Sequence, residues 1–448
     1  MIRPIKPKER ETIIQSLRSG VVPRVGLQHI QVGRDKELKS FVKDVATIAD
    51  GGTSFRLVIG EYGSGKTFFL SLVRSIALEK GLVTMNADLS PTKRLHGSDG
   101  QARLLLSELI SSLSTRTKQD GNALPNILEK FISTARDIAA QKGLDISSAI
   151  YEQLNELKEY PGGYAFAQVV NKYWTAYENG DEELKDKVLR WLRAEYTTKT
   201  DALRDLGVRE FINDATFFNT LILYSIFVRK AGYNGLLICL DEMVNLYKIS
   251  NSSSRKANYE EILSILNNTL QGTLSHIGFI MSGTPEFLTD GNRGLYSYEA
   301  LKSRLSENSF SKDLGLIDYN TTVLRLANLT KEEMFILLKN LRNVYASGHE
   351  EQYLIPDDGL LAYLNHCANK IGDSYFRTPR NTIKGFLDLL SMLEQYPDLQ
   401  WSSMINQIEV TQDVEPTEIS AIISQQADKQ NAIHEDEFAS FRLSLIHI

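Results

Sequence analysis

Phe55-Arg56-Leu57-Val58-Ile59-Gly60-Glu61-Tyr62-Gly63-Ser64-Gly65-Lys66-Thr67-Phe68 is the stretch that decides the fold. Its first five residues read as a buried strand, and residues 68–79 carry apolar side chains at helical spacing. Between them stands G-x-x-x-x-G-K-[ST], a phosphate-binding loop pattern that carries meaning when it lies between a strand and a helix. Glycines in such a loop let successive backbone N–H groups converge on phosphate oxygens, and the following helix points its positive end at the same oxygens. Gly60 through Phe68 are therefore the expected binders of a nucleoside triphosphate. Lys66 adds a mobile positive charge. The Thr67 hydroxyl suits a Mg2+ ion, which keeps most of its waters and bridges phosphate oxygens.

The second strong signal is Gly235-Leu236-Leu237-Ile238-Cys239-Leu240-Asp241-Glu242. An unbroken apolar run of this kind is a fully buried strand. Its two carboxylates stand at the carboxyl end, where open α/β sheets bind ligands. Asp241 is expected to hold Mg2+, usually through a water, and Glu242 to polarise the water that attacks a γ-phosphate. Another buried strand, His276 to Ser282, ends in Gly283-Thr284-Pro285-Glu286. A hydroxyl there would touch the γ-phosphate or orient the lytic water, and Ser282 and Thr284 both qualify. Leu82 to Asp88 and Thr321 to Leu326 complete the strands. The first of these closes a right-handed crossover unit with the phosphate loop and its helix. The predicted fold class is α/β, a doubly wound parallel sheet.

Outward from this core, residues 1–50 form a lead and adenine-side segment. A helical pattern over Glu11 to Leu17 ends at Ser19-Gly20, and a turn follows at Pro23. Ile30-Gln31-Val32 is strand-like, Gly33 and Arg34 would let backbone approach an adenine ring, and Asp35 can cap the next helix. Residues 51–328 hold the phosphate-loop domain, with a helical insertion at about 90–230. Tyr164, Tyr173, Trp174, Tyr177, Trp191 and Tyr196 recur there at helical spacing, away from basic clusters, which predicts helix packing rather than base stacking. Helices are expected over Tyr259 to Leu270 and over Tyr296 to Leu305, whose basic end includes Arg304. Thr330 caps the first helix of an all-helical domain, residues 329–397. Arg380 begins a helix there, and a cation at that positive end is disfavoured unless an anion such as a triphosphate faces it. Residues 398–448 read as an acidic tail. Its patch Phe438-Ala439-Ser440-Phe441 is either a partner-binding peptide or a frayed terminus.

The 448 residues carry a formal charge of −6, which offers no global electrostatic drive toward nucleic acid. Cys239 and Cys367 fall in apolar surroundings without zinc or disulfide spacing, as fits a reduced compartment. No run of 18 apolar residues occurs, and the N-terminus lacks a signal-peptide core. A cytoplasmic protein with no membrane segment is expected.

With phosphate loop, Asp-Glu strand, hydroxyl-ending strand, Arg304 and Arg380 in this order, the chain resembles the AAA+ ATPases of the branch that includes origin-recognition and initiator-loading proteins. More closely, it is similar to the ATP-binding proteins of bacterial BREX phage-defence clusters, the BrxD-like proteins. The resemblance spans residues 12 to about 395. It rests on Ser16-Leu17-Arg18-Ser19-Gly20-Val21-Val22-Pro23, Val32-Gly33-Arg34, the phosphate loop, Trp191-Leu192-Arg193, the Asp-Glu strand, Ser282-Gly283-Thr284-Pro285-Glu286 and Thr378-Pro379-Arg380. It implies a helical lid over Mg-ATP, with Arg380 as its second sensor. Arg304 would be a finger reaching a neighbour's ATP in a homo-oligomer, with Arg293 and Arg325 as alternatives. The implied role is a DNA-associated motor or switch in anti-phage defence, partnered by a helicase or other defence protein. A slow nucleotide-gated scaffold that recruits an effector without touching DNA is the alternative. No winged-helix domain is legible after the lid.

Overall fold

The computed structural model describes residues 5–307 and 316–411. The Phe438–Phe441 patch lies outside them. The described residues form two compact units, one within Arg24 to Ala327 and one from residues 5–23 together with residues 328–411. Residues 1–50 are thus divided between the units: α1 (Pro7–Arg18) belongs with the C-terminal helices and α2 (Asp35–Ala49) with the sheet.

Five strands build the sheet: β1 (Thr53–Gly60), β2 (Val83–Asp88), β3 (Leu236–Asp241), β4 (Ile277–Gly283) and β5 (Val323–Leu326). All pairings are parallel, in the order β2-β3-β4-β1-β5. The connection from β1 through α3 (Lys66–Glu79) to β2 therefore passes over two strands. β4 lies between the strand that feeds the phosphate loop and the strand that ends in Asp241, so three strand ends stand side by side. The open edge of β2 is blocked by an antiparallel bridge between Thr84 and Ser114, with N···O distances of 3.0 and 2.9 Å. Pairing of this kind removes a template for edge-to-edge association.

Because strand side chains alternate between faces, the sheet carries two different surfaces. On one, Phe55, Leu57, Ile59, Met85, Ile238 and Phe279 join a single buried core with the inserted helices. These are α4 (Gln101–Ser111), α5 (Leu124–Lys142), α6 (Ile146–Asn155), α7 (Gly163–Asn179), α8 (Glu182–Leu192), α9 (Lys199–Leu206) and α10 (Phe217–Lys230). The insertion is thus an extension of the sheet's own core. Phe166 is its hub, with its ring 5.3 Å from Tyr224 and 5.7 Å from Phe227. Tyr173, Trp174, Trp191 and Tyr196 are buried there as expected, whereas Tyr164, at the start of α7, is exposed. The other face carries α2 and α3, joined by an edge-to-face pair of Phe41 and Phe69 at 5.1 Å. Arg56 of β1 points into this layer and bonds Asp44 at 2.6 and 3.1 Å, with Ser40 Oγ at 2.9 Å.

Several local expectations are corrected. Ile30 to Val32 is no strand; a single 3-10 turn over Leu27–His29 precedes it, and three residues are too few to earn a place in the sheet. Arg34, in the left-handed region, stands at the cap position of α2 and Asp35 is its first helical residue. After the short α11 (Val244–Tyr247), α12 (Ser252–Leu270) begins seven residues before Tyr259, because the Asn251 side chain accepts from Ser254 N and starts it early. α13 (Pro285–Thr289) and α14 (Glu299–Leu305) follow β4.

Among the described residues the second unit is all helical. It contains α1, α15 (Lys331–Tyr345), α16 (Asp357–Ile371), α17 (Ser374–Arg377), α18 (Arg380–Gln395) and α19 (Trp401–Ile405). Thr330 and Glu333 form the reciprocal cap that opens α15. Cys367 and Cys239 are free and buried, one in each unit.

Candidate nucleotide-binding site

The loop between β1 and α3 closes tightly. Gly65 caps α3 with φ +83° and no side-chain cap, so the first N–H groups of the helix are left to an external acceptor. A Cβ on Gly60 would strike Ser64 Oγ, which leaves room only for glycine where the loop folds back on the end of β1. Lys66 Nζ donates to the carbonyls of Gly60 (2.8 Å) and Glu61 (2.9 Å), holding its charge over the loop. Ser64 is buried, and its Oγ has no hydrogen-bond partner among the described residues.

Asp241 is the point of convergence. It is 6% exposed, and its Oδ2 accepts from Thr67 Oγ1 at 2.7 Å. Its Oδ1 accepts from the Glu242 backbone N at 2.8 Å and from Ser282 Oγ. Three segments distant in sequence thereby meet on one carboxylate. Glu242 is exposed with φ +57°, a left-handed conformation rare for a non-glycine residue. The turn is fixed by Met243 N donating to Ser282 O at 3.0 Å. Thr284, two residues beyond Ser282, has a buried hydroxyl without a partner among the described residues.

Sequence reasoning placed Asp88 at the end of a strand and gave it no role. The register pairs it with Asp241 across β2 and β3. Burial first, then the like charges of Asp241, Glu242 and Glu108, push its carboxyl up to about 6, against a smaller pull from Lys93. Asn245 Nδ2 donates to Leu89 O at 2.8 Å and ties the two strand ends together.

The remaining expected residues are spread more widely. Gly33, with φ +65°, precedes Arg34, whose guanidinium is turned to its own chain: Ser64 O at 3.4 Å, the Ala327 carbonyl, and Glu37 at 3.6 Å. Arg304, exposed on the last turn of α14, bonds Asn267 Oδ1 at 2.7 Å and Ala300 O at 2.9 Å. Arg293 bonds the carbonyls of Tyr247 (3.1 Å) and Ile249 (3.3 Å), and Arg325 pairs with Glu307. Arg380 is the first residue of α18, in the helical unit.

The donor set fits Mg2+ with a phosphate: the Thr67 hydroxyl and the Asp241 carboxylate are in contact, and the Ser64 hydroxyl of the same loop is buried without a partner among the described residues. Mg2+ takes few protein oxygens and completes its shell with water and phosphate. Among the described residues no group of three or more His, Cys, Asp or Glu side chains could hold a metal alone.

A five-stranded parallel sheet with helices, and a phosphate-loop sequence at a strand's carboxyl end, define an α/β protein of a type compatible with the phosphate-loop nucleotide-binding proteins. Residues 5–409 match the family of the BREX system ATP-binding proteins BrxC/D, and the chain belongs to that family. ATP binding within phage defence is what the family stands for. No curated protein matches the chain. Among the described residues no helix is long and apolar enough to cross a membrane.

Proposed function

We propose that the chain is an AAA+ ATPase that hydrolyses Mg-ATP at the loop following β1, with the helices of residues 329–397 as its lid. The observation that carries this reading is the convergence of Thr67 and Ser282 on Asp241. Bound Mg2+, held by Thr67 and Asp241, would supply positive charge against the β- and γ-phosphate oxygens. Lys66 neutralises the same oxygens, and the backbone N–H groups of the loop orient them. Glu242 accepts a hydrogen bond from the attacking water, and its left-handed backbone is strain of the kind retained at functional positions. Thr284 suits the sensor role better than Ser282, since the Ser282 hydroxyl is engaged by Asp241 and that of Thr284 is buried without a partner among the described residues.

Arg34 acts by bracing the loop through Ser64, with Gly33 giving the turn that aims it. Arg304 completes a neighbour's site in a homo-oligomer. In support, its own bonds are to one side chain and one carbonyl at an exposed helix end, whereas Arg293 is held by two backbone carbonyls. Arg380 is the lid's nucleotide sensor, in keeping with a cation at a helix N-terminus.

The biological role we infer is a DNA-associated motor or switch in the cytoplasm, working with a helicase or other defence protein. The net charge of −6 favours a second reading, a slow nucleotide-gated scaffold that recruits an effector without contacting DNA. ATP turnover with no DNA, with duplex and with single strands separates them. Stimulation that fades as salt rises supports the motor, as phosphate contacts require; an unchanged rate supports the scaffold. Lys66→Ala should lose ATP binding, and a Lys66→Ala variant that binds ATP normally would sink both readings.

A further inference from the structure

We propose that the turn ending α1, centred on Gly20, is the platform that positions Arg380, making the N-terminal helix a positioning element for ATP turnover. The inference rests on the reading of Arg380 as the lid's nucleotide sensor. α1 closes with Gly20 N donating to Leu17 O at 3.0 Å and Val21 N to Ser16 O at 2.9 Å. This paired pattern ends a helix through a left-handed residue, here Gly20 at φ +71°. Space gives a second, independent reason for glycine. A Cβ at position 20 would lie 3.2 Å from Arg380 Cδ and 3.6 Å from its Cγ. The aliphatic stem of Arg380 therefore lies directly on the bare Cα of Gly20.

The platform is itself anchored. Arg18, two residues before Gly20, pairs with Asp388 of α18 at 3.0 Å, and Arg10, farther back on α1, reaches Glu394 at 3.7 Å. Positions 20, 18 and 10 thus meet positions 380, 388 and 394, so α1 runs along α18 and delivers its terminal turn to the first residue of that helix. An arginine stem has many rotamers, and a floor beneath it restricts where the guanidinium goes. The segment Ser16–Pro23, which has no part in the phosphate loop or the acidic strand ends, gains a role in this way.

Gly20→Ala, Arg380→Ala and the double variant, compared for ATP turnover, ATP affinity and melting temperature, test this. Misplacing a catalytic group by a fraction of an ångström predicts a loss of about 10-fold in turnover for Gly20→Ala. On the Arg380→Ala background the same change should cost less than about 2-fold, because residues acting through one another are not additive. A merely structural glycine would give additive losses, and that result, or full activity of Gly20→Ala beside an impaired Arg380→Ala, overturns the inference. Full activity of Arg380→Ala overturns the sensor reading and the inference together. Should Gly20→Ala fail to fold, Gly20→Asn takes its place in the cycle, since asparagine tolerates the left-handed region and carries the same Cβ.

Discussion

At Asp88 burial and the neighbouring carboxylates act in the same direction, holding its proton to about pH 6 where an ordinary aspartate titrates near 3.8. The folded chain then binds more protons than the unfolded chain between those values, so stability falls as pH rises through that window. The residue keeps solvent access, which screens the effect and keeps it modest. Asp88→Asn removes the charge and keeps the shape. Without nucleotide or metal it should melt higher than wild type at pH 8, with the gap closing toward pH 4; a gap independent of pH, or a lower melting point at pH 8, contradicts this assignment. The positions of Lys66, Thr67, Asp241 and Glu242 at the ends of β1 and β3 were legible as local motifs next to their strands. Asp88 was not, because its chemistry comes from register with a residue 153 positions away, which no local pattern reports. The same holds for the bond from the Ser282 hydroxyl to Asp241, which joins positions 41 apart and leaves no local pattern.

Among the elements, α2 is bound to the sheet by the Arg56–Asp44 pair, with Arg56 only 7% exposed. Breaking a buried pair leaves one charge unpaired and costs about 3–5 kcal/mol. Asp44→Ala should therefore lower the unfolding free energy, read from denaturant titration, by that order, whereas an exposed pair such as Lys142–Glu152 contributes about 0–1 kcal/mol. A loss below about 1 kcal/mol on Asp44→Ala would show that the pair does not anchor the layer. Buried strands and their helices were legible through their periods of apolar residues. The start of α12 was missed because Ser252 to Lys256 is polar and shows no period, and its signal is the side chain of Asn251. Part of the strand order was also hidden: β3 and β4 pair as neighbours, but their entry between β2 and β1 is set by packing of distant segments.

For the whole molecule, the role proposed for Arg304 bears on whether one chain suffices. An arginine supplied in trans to a γ-phosphate contributes about 10³ to 10⁵ in rate, against about 0–1 kcal/mol for an exposed ion pair. Arg304→Ala should then bind ATP and hydrolyse it poorly. Mixed with Lys66→Ala it should regain activity, because the second variant carries an intact Arg304 beside the first variant's intact loop; no recovery on mixing, with wild-type turnover independent of protein concentration, contradicts assembly through this residue. The family and the α/β core were legible in the sequence, whereas the joining of α1 to the C-terminal helices was not, since contacts between positions 18 and 388 leave no local trace. The hydrolysis proposed for the chain takes place at the carboxyl end of β3, at Asp241 and the adjoining Glu242. Its most direct test is phosphate release by Glu242→Gln beside wild type, with ATP affinity measured on the same samples. The expected result is unchanged affinity with turnover reduced at least about 10²-fold, and Glu242→Gln releasing phosphate at the wild-type rate would contradict it.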